Sequence, residues 1–245
     1  MISDGVKLLR LLKQELLPVG INMFGVLRPS TFNQMVARDI YSNDILVGTR
    51  AIVIVASGGR KFFESFRATH VDPGTKHPLD TYTRNVLRGA TAYWERVSGV
   101  RTRSVFPFFD ETPVLPFVRL GEAARIGAQS LLGILLHPRF GPWIAFRGAI
   151  FVDHELPFTD SGRFDLRFRE IWKSPNWRGP ARAAPCAGCP AFCGVGDLSL
   201  AEVVHLPATE FAMARRKCVY GRSNAHSKEQ QEFHLAALGC SSNHG

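Results

Sequence analysis

The stretch ILVGTRAIVIVASGG, residues 45–59, decides the class of fold. Ala51 to Val55 is an unbroken apolar run rich in β-branched side chains, and Ser57-Gly58-Gly59 closes it. Such a run reads as a strand buried on both faces, in a sheet covered by helices. RKFFESF (60–66) restarts as a helix on its C-terminal side. HPLDTYTRNVLRGATAYWERV (77–97) follows as a longer helix, with Asp80 or Thr81 near its N-cap and Val86, Leu87, Ala90 and Tyr93 on its apolar face. On the N-terminal side, Leu17–Val36 contains Gly20, Gly25 and Pro29 and reads as loop-rich. Before it, Leu8, Leu9, Leu11, Leu12, Leu16 and Leu17 recur at helical spacing among Lys7, Arg10, Lys13 and Glu15, an amphipathic helix. GVRTRSVFPFF (99–109) reads as a strand, and residues 118–157 as a helix, a strand, a turn and another strand. The expected class is α/β (α+β).

The chain has 245 residues, is 45% hydrophobic and carries a formal charge of +9. That length and composition can bury a full core. No apolar run approaches the roughly 18 residues of a spanning helix, and the charges within the first helix do not suit a secretory signal, so a cytoplasmic location without a membrane partner is expected. Arg101, Arg103, Arg119, Arg125, Arg139 and Arg147 are scattered rather than clustered. Without a basic run or a recognition motif, the charge alone does not imply nucleic acid, and none is expected as a partner. At Lys173 the composition turns rich in Pro, Gly and Ala, which divides the chain into a domain over 1–172 and a linker with a cysteine-bearing module over 173–245.

Three of the five cysteines, Cys186, Cys189 and Cys193, fall within PCAGCPAFCGVGD (185–197). Clustered thiols in a reducing compartment are metal ligands or redox groups rather than disulfide partners. Two-cluster ferredoxins use the run C-x2-C-x2-C-x3-C-P twice, each cluster drawing three ligands from one run and its fourth from the other. Here the first run lacks its last cysteine, Asp197 standing in its place, and the second run keeps only Cys218. Cys186, Cys189, Cys193 and Cys218 thus form the set for one 4Fe–4S cluster in a shortened ferredoxin-like module. Zinc, held by the same thiolates or with His205 or His226 in a three-cysteine site, is the alternative. Cys240 reads as a surface thiol.

The segment FFDETPVLPFVRLGEAARIGAQSLLGILLHPRFGPWIAFRGAIFVD (108–153) resembles the part of epoxyqueuosine reductases that runs from an Asp-x-x-Pro turn to an HP-x-x-G-x-W turn. KHPLDTYTRNVL, HPRFGPWIAFRGA and MARRKCVYGRSNAHSKEQQEFHLAAL resemble a group of short bacterial ferredoxin-like proteins more closely still. The resemblance spans roughly 47–238. It implies a nitroreductase-like, cobalamin-binding sheet-and-helix domain, shared with reductive dehalogenases and the cobalamin decyanase, and a C-terminal ferredoxin module that reduces the cofactor. Asp110 looks like the counterpart of the proposed general acid, although a loop Asp capping the next helix reads equally from the residues alone. His137, Pro138, Gly141 and Trp143 match the turn near the corrin ring, and Arg147 could meet a phosphate or propionamide edge. Read without the resemblance, His137–Trp143 is a β-turn with Trp143 in the core. The expected function is electron transfer from the cluster to cobalamin, with flavin as the alternative cofactor. A corrinoid or small-molecule substrate and an external ferredoxin or flavodoxin donor would be the partners. A non-catalytic cobalamin- or metal-binding protein is the second reading. A transfer-RNA-modifying enzyme is the third, although the helical-repeat extension and second cluster of full-length epoxyqueuosine reductases have no counterpart here.

Overall fold

The computed structural model describes residues 4–69, 75–108, 112–130, 133–159 and 208–237. The elements are α1 (Asp4–Leu16), β1 (Met23–Leu27), α2 (Pro29–Asn33), α3 (Ser42–Ile45), β2 (Ala51–Gly58), α4 (Lys61–Ala68), α5 (Pro78–Ser98), β3 (Thr102–Val105), α6 (Phe117–Ala123), β4 (Ala128–Gln129), β5 (Leu135–Leu136), β6 (Ile144–Val152), α7 (Ala208–Lys217) and α8 (Lys228–Ala237). The chain forms two compact units. One comprises Met1–Ile126 and Ala145–Gly162, the other Gly127–Ile144 and Arg163–Gly245. The boundary expected at residues 172–173 lies outside the described residues, as do the linker and most of the tail.

The first unit is built on a sheet of order β1-β2-β6-β3, in which β1 pairs with β2 and β3 with β6 antiparallel. All eight residues of β2 are buried, as its composition predicts. Helices cover both faces of this sheet. A Cβ on Gly148 of β6 would sit 2.8 Å from the Leu87 side chain of α5, so α5 lies close against one face. On the other face Phe151 of β6 meets Phe32 of α2 edge-on, ring centroids 5.1 Å apart. The amphipathic α1 buries Leu9, Leu12 and Leu16 and packs on α5.

Two local expectations need correcting. The stretch 17–36 is not mainly loop: it holds β1 and α2. Gly25 is no breaker there, because a Cβ at that position would lie 2.5 Å from the Ala124 methyl group and carbonyl. Glycine in a strand marks this kind of close approach. In α5 Leu87 and Ala90 are buried as expected, but the rest of the buried face is Leu79, Thr83, Thr91 and Trp94, with Val86 and Tyr93 half-buried at its margin. Thr83 and Thr91 can be buried because their hydroxyls donate to the carbonyls of Leu79 (2.8 Å) and Leu87 (2.9 Å), one turn back. Gly99, at φ 72°, ends the helix with its N–H bonded to the Glu95 carbonyl.

The outer edge of β1 is closed at Val26. The Thr159 hydroxyl accepts the Val26 N–H (2.9 Å), and the Thr159 N–H donates to the Val26 carbonyl (2.9 Å). Among the described residues no helix is long and apolar enough to cross a membrane.

Candidate functional site

In the second unit the two short strands β4 and β5 pair antiparallel, and the chain then makes a tight turn at His137–Gly141. The His137 N–H donates to the Gly141 carbonyl (3.0 Å), and the Gly141 N–H returns a bond to the His137 carbonyl (2.7 Å). Gly141 adopts φ 56°, a left-handed conformation that a side chain resists. The His137 ring turns back on this loop, its Nδ1 accepting the backbone N–H groups of Arg139 (3.1 Å) and Phe140 (3.3 Å). Burial, helped by the nearby Arg139 charge, lowers the His137 pKa to about 4. At neutral pH the ring is therefore uncharged, and with Nδ1 accepting, Nε2 carries the proton. A histidine in that tautomer organises the turn and has no lone pair at Nε2 for a metal.

The same unit sets α7 and the segment after it against this turn. A Cβ on Gly141 would fall 2.0 Å from the Tyr220 carbonyl oxygen, and one on Gly221 would fall 2.2 Å from the Phe140 carbonyl carbon. Two bare backbones thus pass in direct contact, and each requires glycine. Arg215 of α7 donates through Nε (3.0 Å) and Nη2 (2.6 Å) to the Pro142 carbonyl, its guanidinium lying 4.8 Å from the Trp143 ring centre. Burial lowers the Arg215 pKa to about 10, which leaves it cationic. Asn224 Nδ2 donates to the Arg139 carbonyl (2.9 Å). Trp143 also meets the His226 ring at 5.3 Å, and His226 meets His234 at 5.8 Å. Cys218 follows α7 and is buried, outside any disulfide. Its carbonyl and that of Lys217 accept bonds from Arg222, which caps the end of the helix (3.2 Å each).

His137, Pro138, Gly141, Trp143 and Cys218 are therefore gathered in one unit. Arg147 belongs to the other, where it is 5% exposed. Its Nε donates to the Ser57 hydroxyl (2.8 Å), and its guanidinium lies 4.0 Å from the Phe62 ring centre. Burial lowers its pKa to about 9, against the opposing pull of Asp80 and Tyr82. Asp110, Cys186, Cys189, Cys193 and His205 lie outside the described residues. Among the described residues no three His, Cys, Asp or Glu side chains are grouped to hold a metal ion.

Arg215 and Asn224 are members of this arrangement that sequence reasoning did not single out. In ARRKC nothing distinguishes Arg215 from its solvated neighbours, because the phase of a short helix leaves three consecutive cations equivalent until the partner turn is known. The pairing of FG at 140–141 with YG at 220–221 carried a detectable signal, glycine after an aromatic residue in each.

No protein-family model matches the chain, and no curated protein matches it in sequence. Solved structures do resemble it. The Caenorhabditis elegans B12-trafficking protein CblC, a homologue of human MMACHC, matches with a TM-score of 0.53 at 13% identity, over 98% of this chain and 97% of that one. An epoxyqueuosine reductase gives a TM-score of 0.44 at 14% identity, over 62% of this chain and 48% of that one. A B12-dependent reductive dehalogenase gives 0.41 at 16% identity, over 64% and 21%. The chain thus spans about half the length of the epoxyqueuosine reductase it matches. The fold of the CblC protein is the fold found here, a mixed α/β arrangement with a small antiparallel sheet.

Proposed function

We propose that the chain is a cobalamin-associated iron–sulfur protein, passing electrons to a bound corrinoid for reductive chemistry or cobalamin processing. The observation that supports this most is the packing, within one unit, of the Cys218-bearing segment directly on the His137–Trp143 turn. The likeness in fold to a B12-trafficking protein over nearly the whole chain supports the corrinoid half of the reading. It equally favours a second reading, a non-catalytic cobalamin-binding protein.

Of the four proposed cluster ligands the described residues include only Cys218, and its surroundings fit the role. It is buried, and the Arg222 guanidinium donates to its carbonyl (3.2 Å), which fixes the backbone that presents the thiol. On the corrinoid side, the Trp143 indole N–H is buried without a hydrogen-bond partner among the described residues, so an acceptor on a bound group would satisfy it. His137 is held neutral with Nε2 protonated, so binding would proceed without it as a lower ligand. A bound iron–sulfur centre would supply electrons one at a time. The chain's own part would be to hold the thiolates, keep the turn rigid, and deliver a proton from Asp110 if that carboxyl is kept protonated by apolar neighbours.

Absorbance of anaerobically purified protein tests the reading directly. Brown protein with about four irons and matching acid-labile sulfide per chain is expected. Cys218→Ser should lose the centre, and Cys240→Ser should leave iron unchanged. Stoichiometric zinc without sulfide would refute the cluster. Titration with cob(II)alamin should shift the corrin bands, and tight flavin binding with no response to cobalamin would refute the corrinoid.

A further inference from the structure

The two edges of the sheet are treated differently. At β1, Thr159 occupies the outer hydrogen-bonding groups of Val26. At the opposite edge, β3 is flanked by two open cavities of about 520 and 300 Å³ that share Thr102, Arg103 and Ser104. They lie on opposite faces of the sheet. The larger is walled by α3 and the residues on either side of it, including Asp39, Asp44 and Leu46, and the smaller by Arg88, Thr91 and Glu95 of α5. Pairing register agrees with this. Thr102 and Ser104 stand opposite Val152 and Ile150, on the face where Gly148 meets α5, whereas Arg103 stands opposite Phe151, which meets α2.

The strand's hydrogen-bonding phase is also fixed. The Asp153 N–H donates to the Arg101 carbonyl, so the backbone groups of Arg101, Arg103 and Val105 point toward β6. Those of Thr102 and Ser104 point outward. The Thr102 N–H is capped by Glu95, whose Oε1 accepts it at 2.7 Å and accepts the Thr102 hydroxyl at 2.6 Å. The Ser104 hydroxyl is buried without a hydrogen-bond partner among the described residues. Val47 and Val114, 72% and 77% exposed, are sequence neighbours of the lining residues Leu46 and Pro113.

We propose that β3 is a docking edge for an extended peptide of another protein, which adds a fifth strand beyond β3. A strand paired there would point successive side chains to alternate faces, and so into the two cavities in turn. Charge selects the occupant. Asp39 and Asp44 outweigh Arg103 on the larger cavity and call for a basic side chain; on the smaller, Glu95 is taken up by Thr102, which leaves Arg88 to meet an acidic neighbour. A second copy of β3 is disfavoured, because two-fold antiparallel pairing through the outward groups of Thr102 and Ser104 would set Arg103 against Arg103 or Arg101 against Arg103. Glu95 acts as a stand-in that caps the edge when no peptide is bound.

The probe is a fluorescein-labelled capped hexapeptide, Val-Thr-Lys-Glu-Val-Thr, followed by anisotropy with the full-length protein. Saturable binding is expected. It should weaken at least tenfold when two adjacent central residues of the peptide are N-methylated, since one methyl then faces β3 in either register. Ser104→Pro should weaken it similarly, because that N–H is not used by β6. Should Ser104→Pro fail to fold, Asp39→Lys with Asp44→Lys serves instead, and should shift preference to the peptide with Lys and Glu exchanged. No binding at millimolar peptide, or binding indifferent to N-methylation and to these substitutions, would overturn the proposal. So would a protein dimer abolished by Ser104→Pro, which would assign the edge to self-association.

Discussion

Replacing Gly141 by alanine should cost far more than replacing Gly133, although both sit at positive φ. Gly133 has φ 72° with nothing within 4 Å of where an added methyl would stand, so Ala there meets only the backbone penalty, about 1 kcal/mol for one residue in the left-handed region. At Gly141, φ 56°, the methyl carbon would lie 2.0 Å from the Tyr220 carbonyl oxygen, where ordinary contact begins at 3.4 Å. The two backbones must part by the difference, about 1.4 Å. That separation breaks or stretches the Asn224–Arg139 bond and the paired bonds from Arg215 to the Pro142 carbonyl. The neutral bond contributes about 1 kcal/mol and the Arg215 pair, which shares one carbonyl, about 2 kcal/mol together, so with the φ penalty the total is about 4 kcal/mol. Hydrogen exchange over residues 208–237 should report it as faster exchange by roughly two to three orders of magnitude, at about 1.4 kcal/mol per tenfold. Gly133→Ala should shift the same amides by about tenfold or less. If the two variants exchange alike, the backbone contact does not stabilise this unit and the reasoning fails.

His137 gives a pH signature. Its folded-state pKa of about 4 lies below the ordinary 6.5, so its stabilising contribution is complete above pH 6.5 and is lost as pH falls toward 4. The loss amounts to at most about 3 kcal/mol; denaturation of His137→Asn at a series of pH values should lack it, and parallel pH profiles for variant and parent would refute it. Arg147→Ala should destabilise the first unit by about 3 kcal/mol, because it removes a buried cation together with its bond to Ser57 and its charge interaction with Asp80. An Arg147→Ala chain as stable as the parent that loses cobalamin would instead make Arg147 a ligand contact. Asp110→Asn should leave cofactor binding intact and lower turnover by about 10² or more if Asp110 is a general acid. Unchanged kinetics would favour the cobalamin-binding reading.

How far the sequence could be read depended on which physical constraint marked a residue. β2 was legible because five consecutive buried positions leave a continuous apolar run, and α1 because its leucines recur at helical spacing. β1 was not, since Gly25 carries the same letter whether it opens a turn or admits Ala124. The buried face of α5 was legible only at Leu87 and Ala90, because Thr83 and Thr91 look polar until their hydroxyls are seen bonded back along the helix. At the candidate site, HPRFGPW announced a fixed turn, and the position of Cys218 in a ferredoxin-like spacing marked it as a candidate ligand. Arg215 stayed hidden because its partner is a main-chain carbonyl, which leaves no trace in residue identity. The neutral state of His137 was equally hidden, since it depends on two backbone N–H groups aimed at one ring nitrogen.

The strand order has a consequence for how the protein emerges from the ribosome. β6 lies between β2 and β3 in the sheet, yet it is translated after both. The nascent β1 can pair as soon as β2 follows it, but β3 has no strand to pair with until residues 149–152 appear. That delay is about fifty residues, on the order of several seconds at ordinary elongation rates. Through that interval β3 is a strand with two bare edges, the state most open to mispairing. Arg101 and Arg103, which repel a second copy, stand at the position where a growing chain most needs a deterrent.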